Sequence, residues 1–143
     1  MREIKFRGLD PISNEWVYGD LIHGVGSKSD KVYILPDRIN LANVKNCDPI
    51  DGVCVEPKSV GQFTGLKDKN GKEIYEGDIL TIPLFGNCII IWNESICAFQ
   101  YAYHAIGKGT SIGGRMTNTL YSYEQPKYEV VGNIYETHEL LNN

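Results

Sequence analysis

The sequence is notable first for what it lacks. It has no apolar run near the ~20 residues of a membrane-spanning helix, so no such helix is predicted. Its first seven residues, Met-Arg-Glu-Ile-Lys-Phe-Arg, carry charge at Arg2, Glu3, Lys5 and Arg7 and hold no apolar stretch, which is unlike a secretory signal. The cysteines Cys47, Cys54, Cys88 and Cys97 form no Cys-x-x-Cys pair, which argues against a paired-thiolate zinc site. With no export signal, they read as reduced thiols in a cytoplasmic protein, Cys88 and Cys97 as small buried groups within strands. There is no excess of base: 18 acidic residues outnumber 14 basic ones, for a net charge of −4. A duplex-DNA binder usually carries a basic domain or stripe. His23, His104 and His138 are scattered and form no metal motif. Gly107-Lys108-Gly109-Thr110-Ser111 has phosphate-loop residue types in the wrong order, with no helix pattern after them.

Helical periodicity is also nearly absent. In its place are short β-branched and aromatic runs cut by Gly, Asn, Asp and Pro, the pattern of a mainly β chain with little helix. Strands are predicted at residues 4–9, 16–22, 31–35, 52–55, 88–92, 97–104 and 128–135. Lys5 and Arg7 fall on a solvated face of the first strand, opposite Ile4 and Phe6. The run Cys88–Trp92 is apolar throughout and reads as buried on both faces. Cys97, Phe99, Tyr101 and Tyr103 share one face of the next strand, which should be its core side. Residues 36–49 read as a long loop, 107–119 as a mobile loop or a wide hairpin tip, and 136–141 as a closing helical turn.

One hairpin is legible in detail. Asp68-Lys69-Asn70-Gly71 suits a type I turn followed by Gly in the left-handed region, a three-residue loop. That register sets Asp68 against Lys72, Lys67 against Glu73 and Leu66 against Ile74. A two-residue loop would oppose like charges, at up to about 1 kcal/mol per pair.

The two halves of the chain echo each other. Phe6-Arg7-Gly8-Leu9-Asp10 resembles Phe63-Thr64-Gly65-Leu66-Lys67-Asp68. Glu15–Ile22 lines up with Glu73–Leu80, matching Gly19-Asp20 to Gly77-Asp78. Ser59-Val60-Gly61-Gln62-Phe63 matches Val130-Val131-Gly132-Asn133-Ile134. Glycine at 19 and 77 permits a sharp strand bend, and Asp20 and Asp78 can hold it through backbone N–H groups. The expectation is two fused, internally related small SH3-like barrel-type units, 1–64 and 65–143.

The run Gln62–Leu80 (QFTGLKDKNGKEIYEGDIL), the opening Met1–Gly8 and the closing Val130–Leu141 resemble the YopX-like family of phage and prophage proteins. The resemblance implies a mainly β protein with no established activity, no recognised catalytic residues and no cofactor. Its matching positions are turns, kinks and closing strands.

Three functional readings follow. The first is a non-enzymatic binding module for an unidentified protein partner, working as a homo-oligomer and presenting residues 24–53 and 107–119. Its first strand and the Cys97–His104 strand would be edges covered by self-association. The second is single-stranded nucleic-acid binding through Trp16, Tyr101, Lys108 and Arg115, since small barrels bind strands with aromatics flanked by bases. The third is a small hydrolase with carboxylates at the Gly-Asp kinks, Asp20 and Asp78. No membrane partner is expected.

Overall fold

The computed structural model describes residues 3–24, 31–36, 52–104 and 115–142. The expected loop at 36–49 and the tip at 107–114 lie outside the described residues, apart from Pro36, which ends a strand. The chain is mainly β, with antiparallel sheets and, among the described residues, only short 3₁₀ turns for helix. The strands are β1 (Phe6–Leu9), β2 (Trp16–His23), β3 (Val32–Pro36), β4 (Val53–Val55), β5 (Gly61–Lys67), β6 (Glu73–Tyr75), β7 (Asp78–Ile82), β8 (Gly86–Asn93), β9 (Ala98–His104), β10 (Arg115–Thr119) and β11 (Glu129–Asn133). Two compact units divide the chain, Met1–Phe63 and Thr64–Asn143.

In the first unit the hydrogen-bonded order is β4-β3-β2-β1, and Phe6 and Arg7 of β1 also pair with Gln62 and Gly61 of β5. Val32, Ile34 and Val55 are buried at its centre, with Phe6, Val17, Leu21, Val53 and Val60 packed on them. The β-branched residues place stiff side chains on one pleated face. The turn between β1 and β2 is closed by Asp10, whose carboxylate accepts from Ile12 N (2.8 Å) and Ser13 Oγ (2.9 Å). Those bonds, the Ile12 N–H first, hold its carboxyl below the usual value. Ser59 ties the far end of β1. Its hydroxyl accepts from Leu9 N and donates to Glu56 O, both at 2.7 Å.

Arg7 departs from the sequence reading. Its side chain is buried, not solvated, with the guanidinium carbon 4.6 Å from the centre of the Trp16 ring. Leu9 pairs with Trp16 and Arg7 with Tyr18, so the long stem of Arg7 lies along the indole, where cation and aromatic face attract. Lys5 sits similarly over Phe63, at 5.4 Å. Ile4, expected on a buried face, lies ahead of β1 and is exposed.

In the second unit a five-stranded sheet runs β10-β9-β8-β7-β11. One face carries Leu80, Ile82, Cys88, Ile90, Phe99 and Tyr101. Ile74 and Leu66 from the β5–β6 hairpin cover it, together with Tyr128 and Leu120. Tyr101 and Tyr128 meet edge to face at 6.3 Å, a favourable aromatic geometry. Residues 99–102 of β9 are all buried, the aromatics on the expected core face and Gln100 and Ala102 on the other. Gln100 accepts from Asn93 Nδ2 at 2.8 Å, which satisfies a polar group away from water.

Four sequence readings need correction here. β8 is buried on one face only: Cys88 and Ile90 are enclosed, Ile89 and Ile91 half-buried, and Trp92 exposed. Cys97 is not in a strand. It is exposed, in the left-handed region (φ 49°), in the turn that reverses the chain between β8 and β9. Residues 115–119 form a strand, β10, in unbroken register with β9 from Arg115↔His104 to Thr119↔Gln100. Finally, β1 and β9 are interior strands, each paired on both sides. Among the described residues neither sheet is closed on itself, since each strand order begins and ends at an edge.

Candidate interaction surface

The polar side chains buried in the second unit serve its turns. Asp68 follows β5 at the hairpin. Its Oδ1 accepts from Asn70 N (2.8 Å) and Lys72 N (2.9 Å), and its Oδ2 from Val130 N (3.0 Å) at the bulge in β11. Asp68 N donates to Lys72 O and Gly71 N to Asp68 O, with Gly71 at φ 82°. This is the expected three-residue loop, with glycine where an L side chain would be strained. Burial pushes the Asp68 carboxyl up, but the N–H groups of Val130, Lys72 and Asn70 outweigh it and leave it below its ordinary value. Asp78 is buried where β7 begins, and its Oδ2 accepts from Tyr75 N at 2.8 Å across the turn. Asn133, also buried, accepts at Oδ1 from Tyr135 N (2.9 Å) and Glu136 N (3.0 Å), and its amide donates to Glu136.

Asp20 lies in the first unit, exposed on β2 opposite Leu35. β2 runs unbroken through Gly19-Asp20. Gly19 pairs with Phe6 on one side and Pro36 on the other, and a Cβ there would overlap the Leu35 carbonyl oxygen. Gly77 has φ 82° and sits in a turn between strands. Among the described residues no three or more His, Cys, Asp or Glu converge as a metal ion would require.

A second group of side chains faces outward. The turn Ile82–Gly86 between β7 and β8 is closed by Phe85 N donating to Ile82 O at 3.1 Å. It holds Leu84 in the left-handed region (φ 75°) and fully exposed, which is uncommon for a large apolar residue. Phe85 lies against Tyr103 at 4.7 Å and Tyr101 at 5.8 Å between ring centres. Met116, opposite Tyr103 across β9 and β10, is 51 % exposed. At the β8–β9 turn, Trp92 packs edge-on to Phe99 at 5.0 Å and stays 38 % exposed, and Ile96, four residues further on, is exposed as well.

Behind these rings is a polar cluster. The Tyr128 hydroxyl lies 3.3 Å from Tyr121 O, Tyr121 N and Glu124 Oε2. Burial, with the Glu124 carboxylate nearby, raises Tyr128 well above the usual tyrosine range. Tyr101 is raised for the same reasons, partly offset by its hydrogen bond with Asn118.

The four contact residues read from the sequence fall in different places. Tyr101 is 3 % exposed, in the core. Trp16 is half-buried beneath Arg7. Arg115 opens β10, and Lys108 lies outside the described residues. Phe85 and Met116 were not singled out by the sequence. The available signal was Pro83-Leu84-Phe85-Gly86, a turn sequence carrying two large apolar residues.

These features define a class: an antiparallel β protein in two units, whose buried carboxylates brace turns and whose second unit exposes aromatic and aliphatic side chains. Residues 5–142 match the YopX protein family, and the chain belongs to that family. Among solved structures it is similar to protein EF1440 from Enterococcus faecalis. The two share 21 % identity over 99 % of each chain, with a TM-score of 0.51, a likeness of fold. Comparison with curated proteins gives no match. Among the described residues no helix is long and apolar enough to cross a membrane.

Proposed function

We propose that this chain is a non-enzymatic binding module of phage or prophage origin that works in the cytoplasm as a homo-oligomer. The observation that carries this reading is the division of labour in the second unit. Asp68, Asp78 and Asn133 direct carboxylate or amide oxygens at backbone N–H groups, which is bracing, while Leu84, Phe85, Trp92, Ile96, Met116 and Tyr121 face outward. Where such side chains adjoin, as Phe85 and Met116 do around Tyr103, they suit a surface that is covered by another molecule. The two units descend, on this reading, from one duplicated SH3-like motif. In its favour, three segments of the sequence, each with its glycine, recur in the same order in both halves.

A second reading, single-stranded nucleic-acid binding, draws on the Phe85–Tyr103 pair as a stacking platform. One experiment separates the two: the mass of the full chain in solution by light scattering, with and without short single-stranded oligonucleotides, at low and moderate salt. A fixed oligomer indifferent to nucleic acid is the expected result. A complex that forms at low salt and dissolves as salt rises would replace the first reading with the second.

A further inference from the structure

We propose that β10 is the seam at which two copies of this chain join, edge to edge and antiparallel, with Thr117 at the two-fold axis. The proposal rests on the oligomeric reading above and names the contact that reading requires. β10 ends its sheet's strand order, so among the described residues no strand lies on its outer side. An open row of backbone N–H and C=O groups is a template for another strand, and proteins usually blunt it with brevity, proline, a bulge or charge. The other short or outer strands are blunted. β11 carries a bulge between Val130 and Gly132, and β4 and β6 have three residues each. β10 has five residues in unbroken register with β9, no proline and a single charged residue, Arg115, at its start.

The sequence of β10 is compatible with itself. Centred on Thr117, an antiparallel pair sets Thr117 against Thr117 of the second copy, Met116 against Asn118 and Arg115 against Thr119. No two like charges meet, and a Thr–Thr pair across strands is favourable. A two-fold closes the contact, so it ends at a dimer seam and does not propagate. Met116 lies opposite Tyr103, on the face that carries Phe85, and Tyr121 follows two residues after the strand; both are largely exposed here. Joining at β10 extends the sheet and brings apolar cover to this side of it. A foreign strand would satisfy the same backbone groups, but only a second copy is present whenever the chain is and arrives with a matched set of side chains.

The test is light scattering of the full chain over a concentration series, with circular dichroism to establish that each variant is folded. The proteins are the unaltered chain, Thr117→Lys, Thr117→Glu and an equimolar mixture of the two variants. Thr117 is exposed, so both substitutions are compatible with the fold. Each variant alone should need about tenfold more protein to associate, because like charges meet at the axis. The mixture should regain the unaltered mass, Lys now facing Glu. Hydrogen exchange on the unaltered chain supplies a check without substitution: protection of the β10 amides should rise with concentration. An oligomer whose mass neither substitution changes would overturn the seam and leave the oligomeric reading standing. A monomer at every concentration would overturn both.

Discussion

Replacing Asp68 with alanine should cost the protein about 2–4 kcal/mol. The side chain is 3 % exposed and receives three backbone N–H groups, those of Asn70, Lys72 and Val130. Leaving a buried donor unmet costs about 1–3 kcal/mol. Asn70 and Lys72 are exposed, so water can replace much of what they lose, whereas Val130 is half-buried in the β11 bulge. The total therefore falls well below the simple sum. Asp68→Asn sharpens the test. Its oxygen can keep Asn70 and Lys72, but its amide points N–H groups at the Val130 N–H. The order of stability in urea unfolding should be Asp, then Asn, then Ala. The pH dependence is linked to the same bonds. The folded carboxyl lies below its ordinary value of 3.8, so its contribution is complete above that value and is lost as pH falls through the folded one. The unaltered protein should lose stability below about pH 4, and the Asn variant should lack that component. A cost for Asp68→Ala under about 0.5 kcal/mol, the range of an ordinary surface change, would refute the bracing role.

Three further outcomes follow from the geometry. Gly19→Ala should destabilise by about 3 kcal/mol or more in urea unfolding, since the new Cβ meets the Leu35 backbone carbonyl, while Gly65→Ala, with open space around it, should cost about 1–2 kcal/mol from backbone strain alone. In a spectrophotometric titration, Tyr101 and Tyr128 should ionise after the exposed tyrosines; because the unfolded chain releases these protons near pH 10, stability should fall above that value, and Tyr128→Phe should remove part of the loss. In a Cys47→Ser background, thiol reagents should modify Cys54 and Cys97 quickly and spare Cys88, which is enclosed and whose thiol burial pushes up to about 11.

Most strands were legible because their pattern is local. Val32–Pro36, Val53–Val55 and the alternation of Phe99, Tyr101 and Tyr103 need only β-branched or aromatic residues at a spacing of two. The Asp68 loop was legible because charge pairing separates two registers on paper. β10 was not, because Arg-Met-Thr-Asn-Thr has no core pattern of its own; pairing with β9 makes it a strand. The positions of β1 and β9 inside their sheets were hidden for the same reason, since strand order depends on contacts between distant segments. Arg7 shows the limit for single side chains. A basic residue alternating with Phe6 reads as solvated until Trp16 is placed beside it. The outward surface was least legible, because exposure of Leu84 and Phe85 depends on a turn whose backbone a large apolar residue rarely adopts.

The Gly-Asp echo shows how little a repeated dipeptide fixes by itself. Both glycines have positive φ, Gly19 at 154° and Gly77 at 82°. Around Gly19, β1 and β3 pair on either side, and the Leu35 carbonyl occupies the space a side chain would need. The strand therefore continues, and Asp20 is left exposed on it. Around Gly77, the amide donates to Ile90 O at 2.9 Å and the carbonyl accepts from Ile134 N at 3.0 Å. The chain turns there, and Asp78 closes the turn on Tyr75 N from a buried position. The same residues thus give an extended strand in one unit and a turn in the other, and the difference lies in their neighbours. A catalytic role for Asp78 would require substrate to reach a side chain that is only 1 % exposed, whereas an interaction surface built from Phe85, Tyr103 and β10 requires nothing of the turns except that they hold.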